Sequence, residues 1–249
     1  MEKDQLNIDE TTLSLDLSEA TDAVRDGSFE HALKLLKLIL KEHPEHIDSL
    51  YLAAVSSRYL KHFDESKDYI EQLLINAPDM GRAYQELGHL NRDMGDEEKA
   101  VMHYRQACEL NPALIAGWNF LYQYFVKNNN KPAAEHASEQ IKNLQSLPGV
   151  LLYIDQILNE GRLGMAEAKC RAFLKENPTH TYAMSLLAEI ANRLGYFDDA
   201  EFLLEKAVEF KPDDGDLRMK YASILRKKQK FAKTLEQVNI LCDKYPDNL

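Results

Sequence analysis

The most constraining feature of the sequence is the spacing of its prolines. Six of the eight prolines fall on one lattice in which neighbours are 34 residues apart, except for a single interval of 66 residues, two periods less two. A repeat of this length is typical of a supersecondary unit that buries its apolar side only against the next copy. The lattice prolines are Pro44, Pro78, Pro112, Pro178, Pro212 and Pro246.

The lattice divides the chain into seven units behind a polar lead-in over residues 1–12. Each unit has the pattern of two amphipathic helices with a tight turn between them, and a proline follows the second helix, where it cannot continue it. The fourth unit is two residues short and lacks its terminal proline. The predicted units are 13–46, 47–80, 81–114, 115–146, 147–180, 181–214 and 215–248.

Two places within the unit carry residues of a fixed kind. Place fifteen is often glycine, which accepts the left-handed backbone conformation that ends a helix, as in Gly27, Gly95, Gly161 and Gly195. Place twenty is always small, which allows the two helices to approach closely. The residues at place twenty are Ala32, Ser66, Ala100, Ala134, Ala166, Ala200 and Thr234.

The third unit resembles the tetratricopeptide repeat. The resemblance rests on the run from Tyr84 through Leu87 and Gly88, followed by Gly95, Ala100, Tyr104, Ala107 and Pro112. It implies an all-α fold, a right-handed superhelical solenoid of about seven helix-turn-helix repeats. It also implies a concave groove that is lined by the first helix of each repeat.

Composition excludes several functional classes. The formal net charge of the chain is −11, which argues against nucleic-acid binding, because that requires a basic surface. The first residues lack the apolar core of a signal peptide, and no run of about 18 apolar residues appears. We therefore expect a cytoplasmic protein without a membrane segment.

The sequence offers no recognisable catalytic, cofactor or metal site. Cys108, Cys170 and Cys242 are far apart and are expected to be buried thiols. His43 and His46 have metal-like spacing but flank a loop proline, and a structural zinc ion needs four convergent ligands. We predict no cofactor, no metal and no enzymatic activity for this chain; an unrecognised catalytic site in the groove is the minor alternative.

The groove is the predicted functional surface. At the places that line it in tetratricopeptide repeats, basic residues outnumber acidic ones, most clearly in units two to four. Arginine and amide side chains suit carboxylates, phosphates and peptide backbone, so we expect an extended acidic or polar peptide as the partner. The alternative is that the arginines pair with local acids. The candidate partner-binding residues are Arg58, Arg82, Gln85, His89, Arg92, Asn119 and Gln123.

The aromatic residues of unit four have two interpretations. Trp118 occupies a place where the repeat often has tryptophan, so packing is the expected role. Phe120 and Tyr124 could instead contribute to a ligand wall. The lysine and asparagine pattern of a chaperone-tail clamp is absent from units one to three, which argues against a cochaperone.

A narrower resemblance concerns residues 81–89 and 110–118. They are similar to the N-terminal repeat region of bacterial proteins that join such repeats to a sulfotransferase domain. That resemblance implies a region that recruits a protein substrate for the catalytic half, whose phosphate-binding loop this sequence lacks. The alternative is a free-standing scaffold that associates with itself through Leu235, Val238 and Leu241, which we expect at the surface of the last repeat.

Overall fold

A computed structural model describes residues 16–244, which form two compact units that meet in sequence at Ser146 and Leu147. We call these the first unit and the second unit, and the seven sequence units are called repeats. Within these residues every regular element is a helix. The predicted all-α class, built from helical hairpins in series, is confirmed. The lead-in over residues 1–12 and Pro246 lie outside the described residues.

The first unit contains four hairpins. Each odd-numbered helix packs on the even-numbered helix that follows it, and α2, α4 and α6 each pack on the next hairpin. The helices are α1 (16–25), α2 (Phe29–Glu42), α3 (Ile47–Tyr59), α4 (Phe63–Asn76), α5 (Gly81–Asp93), α6 (Glu97–Leu110), α7 (Ile115–Lys127) and α8 (Lys131–Gln145).

The second unit contains three hairpins that pack in the same serial order. One of its core clusters is formed by aliphatic residues of α9 and α11 together with the buried thiol of Cys170. The helices are α9 (Gly149–Asn159), α10 (Leu163–Glu176), α11 (Thr181–Arg193), α12 (Phe197–Phe210), α13 (Gly215–Lys227) and α14 (Phe231–Lys244).

The boundary between the two units coincides with the interruption of the proline lattice. The helix before it, α8, has 15 residues, and the helix after it, α9, has only 11. Pro148, one of the two prolines outside the lattice, precedes α9 directly. The shortened interval in the sequence therefore marks the place where one compact unit ends and the next begins.

The hairpin turns share one backbone conformation. The four glycines predicted at place fifteen have φ between +77° and +83°. In the other three hairpins the same place holds Lys61, Asn129 and Gln229, with φ of 62°, 56° and 59°. The prediction for the glycines is confirmed, and the left-handed residue proves to be common to all seven turns.

Small residues bring the helices of a hairpin close together, as predicted. The residues at place twenty are buried in six hairpins, whereas Thr234 is half-buried. Gly88 and Gly117 extend this pattern, since a Cβ atom on Gly88 would lie 2.9 Å from the ring of Tyr104. A Cβ atom on Gly117 would lie 2.7 Å from the Sγ atom of Cys108. Helices α5, α6 and α7 are therefore in close contact.

The cysteines behave largely as expected. Cys108 and Cys170 are buried, and burial raises the pKa of the Cys108 thiol to about 12 and that of Cys170 to about 11. Both thiols are therefore protonated and unreactive at neutral pH. Cys242 is half-buried. None of the helices within residues 16–244 combines the length and apolar character that crossing a bilayer requires.

We expect Gly88→Ala to lower the free energy of unfolding by about 1–2 kcal/mol, because a methyl group at this position overlaps the buried Tyr104 ring. The improved helix propensity of alanine offsets only part of this cost. Gly164→Ala is the control, since its new Cβ atom would meet nothing within 4 Å. In urea unfolding followed by circular dichroism, the midpoint should fall for Gly88→Ala and rise for Gly164→Ala, which gains helix propensity without a clash. A more stable Gly88→Ala protein would contradict the packing described here.

Candidate partner-binding site

The candidate residues lie on the first-helix surface of the first unit, which we define as the face formed by α3, α5 and α7. Helix α5 lies between the other two and contacts both. Arg58 is near the end of α3, and Asn119 and Gln123 are on α7. The remaining four candidates, Arg82, Gln85, His89 and Arg92, are all on α5.

Arg58 is the most buried of the candidate cations, with 7% of its side chain exposed. Its Nε atom donates to Oε1 of Glu86 at 2.5 Å, and its Nη1 atom donates to Oδ2 of Asp93 at 2.8 Å. The guanidinium group also lies 4.5 Å from the ring centre of Tyr59. Burial opposes the charge, but the two carboxylates outweigh it and raise the pKa of Arg58 above its ordinary value. Arg58 is thus fully engaged by its own chain.

The acids that hold Arg58 come from one face of α5. Glu86 and Asp93 are seven residues apart, which is two helical turns, so their side chains point the same way toward α3. Glu86 is 3% exposed. Sequence reasoning missed Glu86, because its place in the repeat is not among those that line the groove. Its spacing of seven residues from Asp93 was the available signal.

Arg92 completes a cluster of four charges. Its Nε and Nη2 atoms donate to Oδ1 of Asp93 at 3.0 and 2.8 Å. We name Arg58, Glu86, Arg92 and Asp93 the α3–α5 ion cluster. Its two positive and two negative charges cancel, so the alternative in which arginines pair with local acids describes Arg58 and Arg92. The basic excess expected on this surface is correspondingly smaller.

Arg82 also lies against residues of α3. Its guanidinium group is 4.4 Å from the ring centre of Tyr51, and its Nη2 atom is 4.0 Å from Oδ1 of Asp48. A cation held against an aromatic face is attracted to the electron density of the ring. Arg82, on α5, is therefore held by residues of α3, whereas Arg58, on α3, is held by residues of α5.

His89 lies on the first-helix surface beside the α3–α5 ion cluster. Tyr104 Oη lies 2.6 Å from His89 Nδ1, and the two rings meet edge to face with centres 5.3 Å apart. Burial, with a smaller effect of Arg58 and Arg92, lowers the pKa of His89 to about 4. Burial likewise raises the pKa of Tyr104 to about 12. At neutral pH this hydrogen bond therefore joins an uncharged tyrosine hydroxyl to an uncharged imidazole.

Two aromatic residues of the fourth repeat, Trp118 and Phe120, are packing elements. Trp118 Nε1 donates to the carbonyl oxygen of Pro112 at 2.8 Å, and its ring meets the edge of His136. Phe120 is half-buried against Tyr104, with ring centres 4.4 Å apart. These contacts agree with the packing role expected for Trp118 and give Phe120 a similar one.

Besides Arg92, this surface presents exposed amide groups. Asn119 and Gln123 lie one helical turn apart on α7, and both are exposed. Gln85 is half-buried, and its side-chain oxygen finds no hydrogen-bond partner among residues 16–244. An amide can donate and accept at once, which is what hydrogen bonding to a peptide backbone requires.

One histidine of the pair with metal-like spacing has a structural role. His46 precedes α3, and its Nδ1 atom accepts from the backbone N–H of Ser49 at 3.3 Å, which caps the helix. His180 caps α11 in the same way through Ala183. Across residues 16–244 there is no group of three or more histidine, cysteine or acidic side chains placed to hold a metal ion.

Arg58→Met should lower the free energy of unfolding of the first unit by about 3–5 kcal/mol, because it leaves the buried Glu86 carboxylate without its partner. The double variant Arg58→Met/Glu86→Leu should recover most of this loss, since an apolar pair of similar volume avoids the buried charge. Arg92→Ala, at a side chain that is 46% exposed, should cost less than about 1 kcal/mol. Urea unfolding measures all three; a double variant as unstable as Arg58→Met would contradict this assignment.

The neutral state of His89 makes stability depend on pH. The unfolded chain takes up a proton near pH 6.5, whereas the folded chain does so only near pH 4. Stability should therefore be complete above pH 6.5 and fall as the pH is lowered toward 4, by at most about 3 kcal/mol from this residue. In His89→Gln the difference in unfolding free energy between pH 7 and pH 4.5 should be smaller than in the wild type. An unchanged difference would show that His89 is not held neutral.

Two segments of the chain match models of a known protein family. Residues 81–114 and residues 158–224 each match a family model described as tetratricopeptide repeat. Among solved structures, a chain of the Naa15/Naa10 complex bound to HypK-THB is 17% identical, with a TM-score of 0.47. The alignment covers 95% of the present chain but only 37% of that one.

Two shorter proteins are similar over most of their own length. The TPR2AB domain of yeast Sti1, solved as a complex with pHSP90, is 14% identical with a TM-score of 0.40, and the alignment covers 96% of the present chain and 93% of that one. The TPR protein TTC0263 of Thermus thermophilus is 23% identical with a TM-score of 0.38, and the corresponding shares are 86% and 98%. The first matched segment coincides with the hairpin of α5 and α6, and the second runs from the end of α9 into α13. Over these two segments the chain matches the tetratricopeptide repeat.

Proposed function

We propose that this chain is a non-catalytic scaffold that binds an extended polar segment of a protein partner on the first-helix surface of the first unit. The observation that carries the proposal is the contrast between the charges and the amides on that surface. The charges of the α3–α5 ion cluster are satisfied within the chain, whereas Asn119 and Gln123 are exposed. Recognition would therefore use hydrogen bonds to the peptide backbone more than attraction between opposite charges.

The ion cluster supports this role by fixing the surface. Arg58 links the end of α3 to Glu86 and Asp93 on α5, and Tyr104 links α6 to His89. A surface whose side chains are already held in one arrangement loses little entropy when a partner binds. An acidic side chain of the segment could still pair with Arg92 and Arg82, at the two ends of α5, as the sequence suggested.

We further propose that the partner is the protein substrate of a sulfotransferase and that binding takes place in the cytoplasm. The support is the similarity of residues 81–89 and 110–118 to the repeat region of bacterial sulfotransferase proteins. Part of that stretch has a structural reason, because Gly81, Gly88 and Gly117 lie where a Cβ atom would collide with a neighbouring helix. The proposal therefore depends on the other residues of the stretches 81–89 and 110–118.

A free-standing scaffold that associates with itself is the second candidate. Leu235 on α14 is 61% exposed, although Leu33 and Val101, at the same place in earlier repeats, are buried. Val238 and Leu241 are half-buried and thus less exposed than the sequence suggested. The exposed apolar group that favours this candidate consists of Phe231, Leu235 and Ile240.

The test of the first candidate is selection of peptides from a phage library of random twelve-residue sequences. For a synthetic peptide chosen in this way, Asn119→Ala/Gln123→Ala should weaken binding at least about tenfold, which corresponds to roughly 1.4 kcal/mol for two or three lost hydrogen bonds. Fluorescence anisotropy with labelled peptide measures the dissociation constant. Lys67→Ala/Glu71→Ala, a double change of the same kind at an exposed pair on α4, should have no effect.

Two results would count against the first candidate. Equal weakening by the control variant would place the peptide elsewhere on the chain. Failure to select any peptide, together with sedimentation coefficients that rise with protein concentration and fall back in Leu235→Glu, would favour the self-associating scaffold.

A further inference from the structure

The second unit contains a cavity that the proposed function does not use. It has a volume of about 200 Å³ and lies between α10, α11 and α12. A cavity of this size has room for several water molecules, each of which occupies about 30 Å³ in the liquid. One long side chain would therefore fit in their place. The side chains that line it are Glu167, Arg171, Leu187, Ile190, Ala191, Leu194, Tyr196, Asp199, Phe202 and Leu203.

The floor of the cavity is apolar, and aromatic rings stand beside it. Leu187, Ile190 and Ala191 on α11 are almost completely buried. Tyr196 and Phe202, at the start of and within α12, are each 60% exposed. Large aromatic side chains that remain exposed next to an apolar cavity are typical of a binding site for another protein.

The charged groups of the cavity leave one carboxylate available. Arg171 Nε donates to Glu167 Oε1 at 2.8 Å, so these two charges cancel. Asp199, in the first turn of α12, forms no ion pair within the part of the chain that the structure describes. The lining therefore has a net negative charge, and the chain as a whole carries a formal charge of −11.

We propose that this cavity receives a lysine or arginine side chain of a protein partner. The methylene groups of such a side chain fit the floor made by Leu187 and Ile190, and its charged end meets the carboxylate of Asp199. Tyr196 and Phe202 attract a cation through their ring faces. An apolar side chain would offer the Asp199 carboxylate no partner, and an acidic side chain would be repelled by it. This site is independent of the first-helix surface of the first unit.

The test uses n-butylguanidinium, which reproduces an arginine side chain, and n-butanol, which has the same apolar part without the charge. Protein carrying ¹³C-labelled leucine and isoleucine methyl groups is titrated with each compound and followed by NMR. n-Butylguanidinium should shift the methyl signals of Leu187, Ile190 and Leu194 in a saturable manner, and n-butanol should not. Asp199→Asn should weaken binding about fivefold, as expected for the loss of one ion pair in a solvent-accessible site.

Asp216→Asn is the matched control, because Asp216 is also an exposed acid in the first turn of its helix but does not line the cavity. It should bind n-butylguanidinium as the wild type does. Three results would overturn the proposal: equal saturable shifts with n-butanol, shifts that stay linear with concentration, or equal weakening in the Asp199→Asn and Asp216→Asn variants. Any of these would leave the cavity without preference for a cation.

Discussion

Close approach of the two helices in each hairpin is the constraint on which the rest of the structure depends. A small residue at place twenty removes the side chain that would hold the helices apart, and a left-handed residue at place fifteen turns the chain back within three residues. Gly88 and Gly117 carry the same close contact from α5 through α6 to α7. Because these backbones are so near, side chains such as Tyr104 can reach from a second helix to the first-helix surface, which is how His89 acquires its hydrogen-bond partner.

The ion cluster follows from this geometry. Once α3 and α5 are held side by side, the buried end of Arg58 needs acceptors, and Glu86 and Asp93 supply them from one face of α5. Burying charges in this way adds little net stability, because desolvation opposes the attraction. Its consequence is specificity of arrangement, since removal of one member leaves another charge without a partner. The charges of the ion cluster on the first-helix surface are therefore held in one arrangement and cancel one another.

The sequence predicted well whatever depends on local spacing. The hairpins, the left-handed glycines and the small residues each repeat at a fixed interval, so a single chain reveals them. Lys61, Asn129 and Gln229 adopt the same left-handed turn without glycine. Asparagine favours this conformation, but the residue types of Lys61 and Gln229 do not indicate it. The pairing of Arg58 with Glu86 joins residues 28 positions apart on different helices, so charge counting on groove places overestimated the free arginines. The cavity beside Tyr196 combines residues from three helices and has no sequence signature.

The two surfaces differ in the forces that they offer a partner. On the first unit, the charges of the ion cluster are neutralised internally and His89 is uncharged, so the peptide binding proposed there should respond little to salt. On the second unit, the carboxylate of Asp199 stands beside two exposed rings, so salt should weaken the binding of a cation proposed there. A partner that used both surfaces would need a polar extended segment and a separate basic side chain. Its total affinity would then depend on the linker between them as well as on each contact.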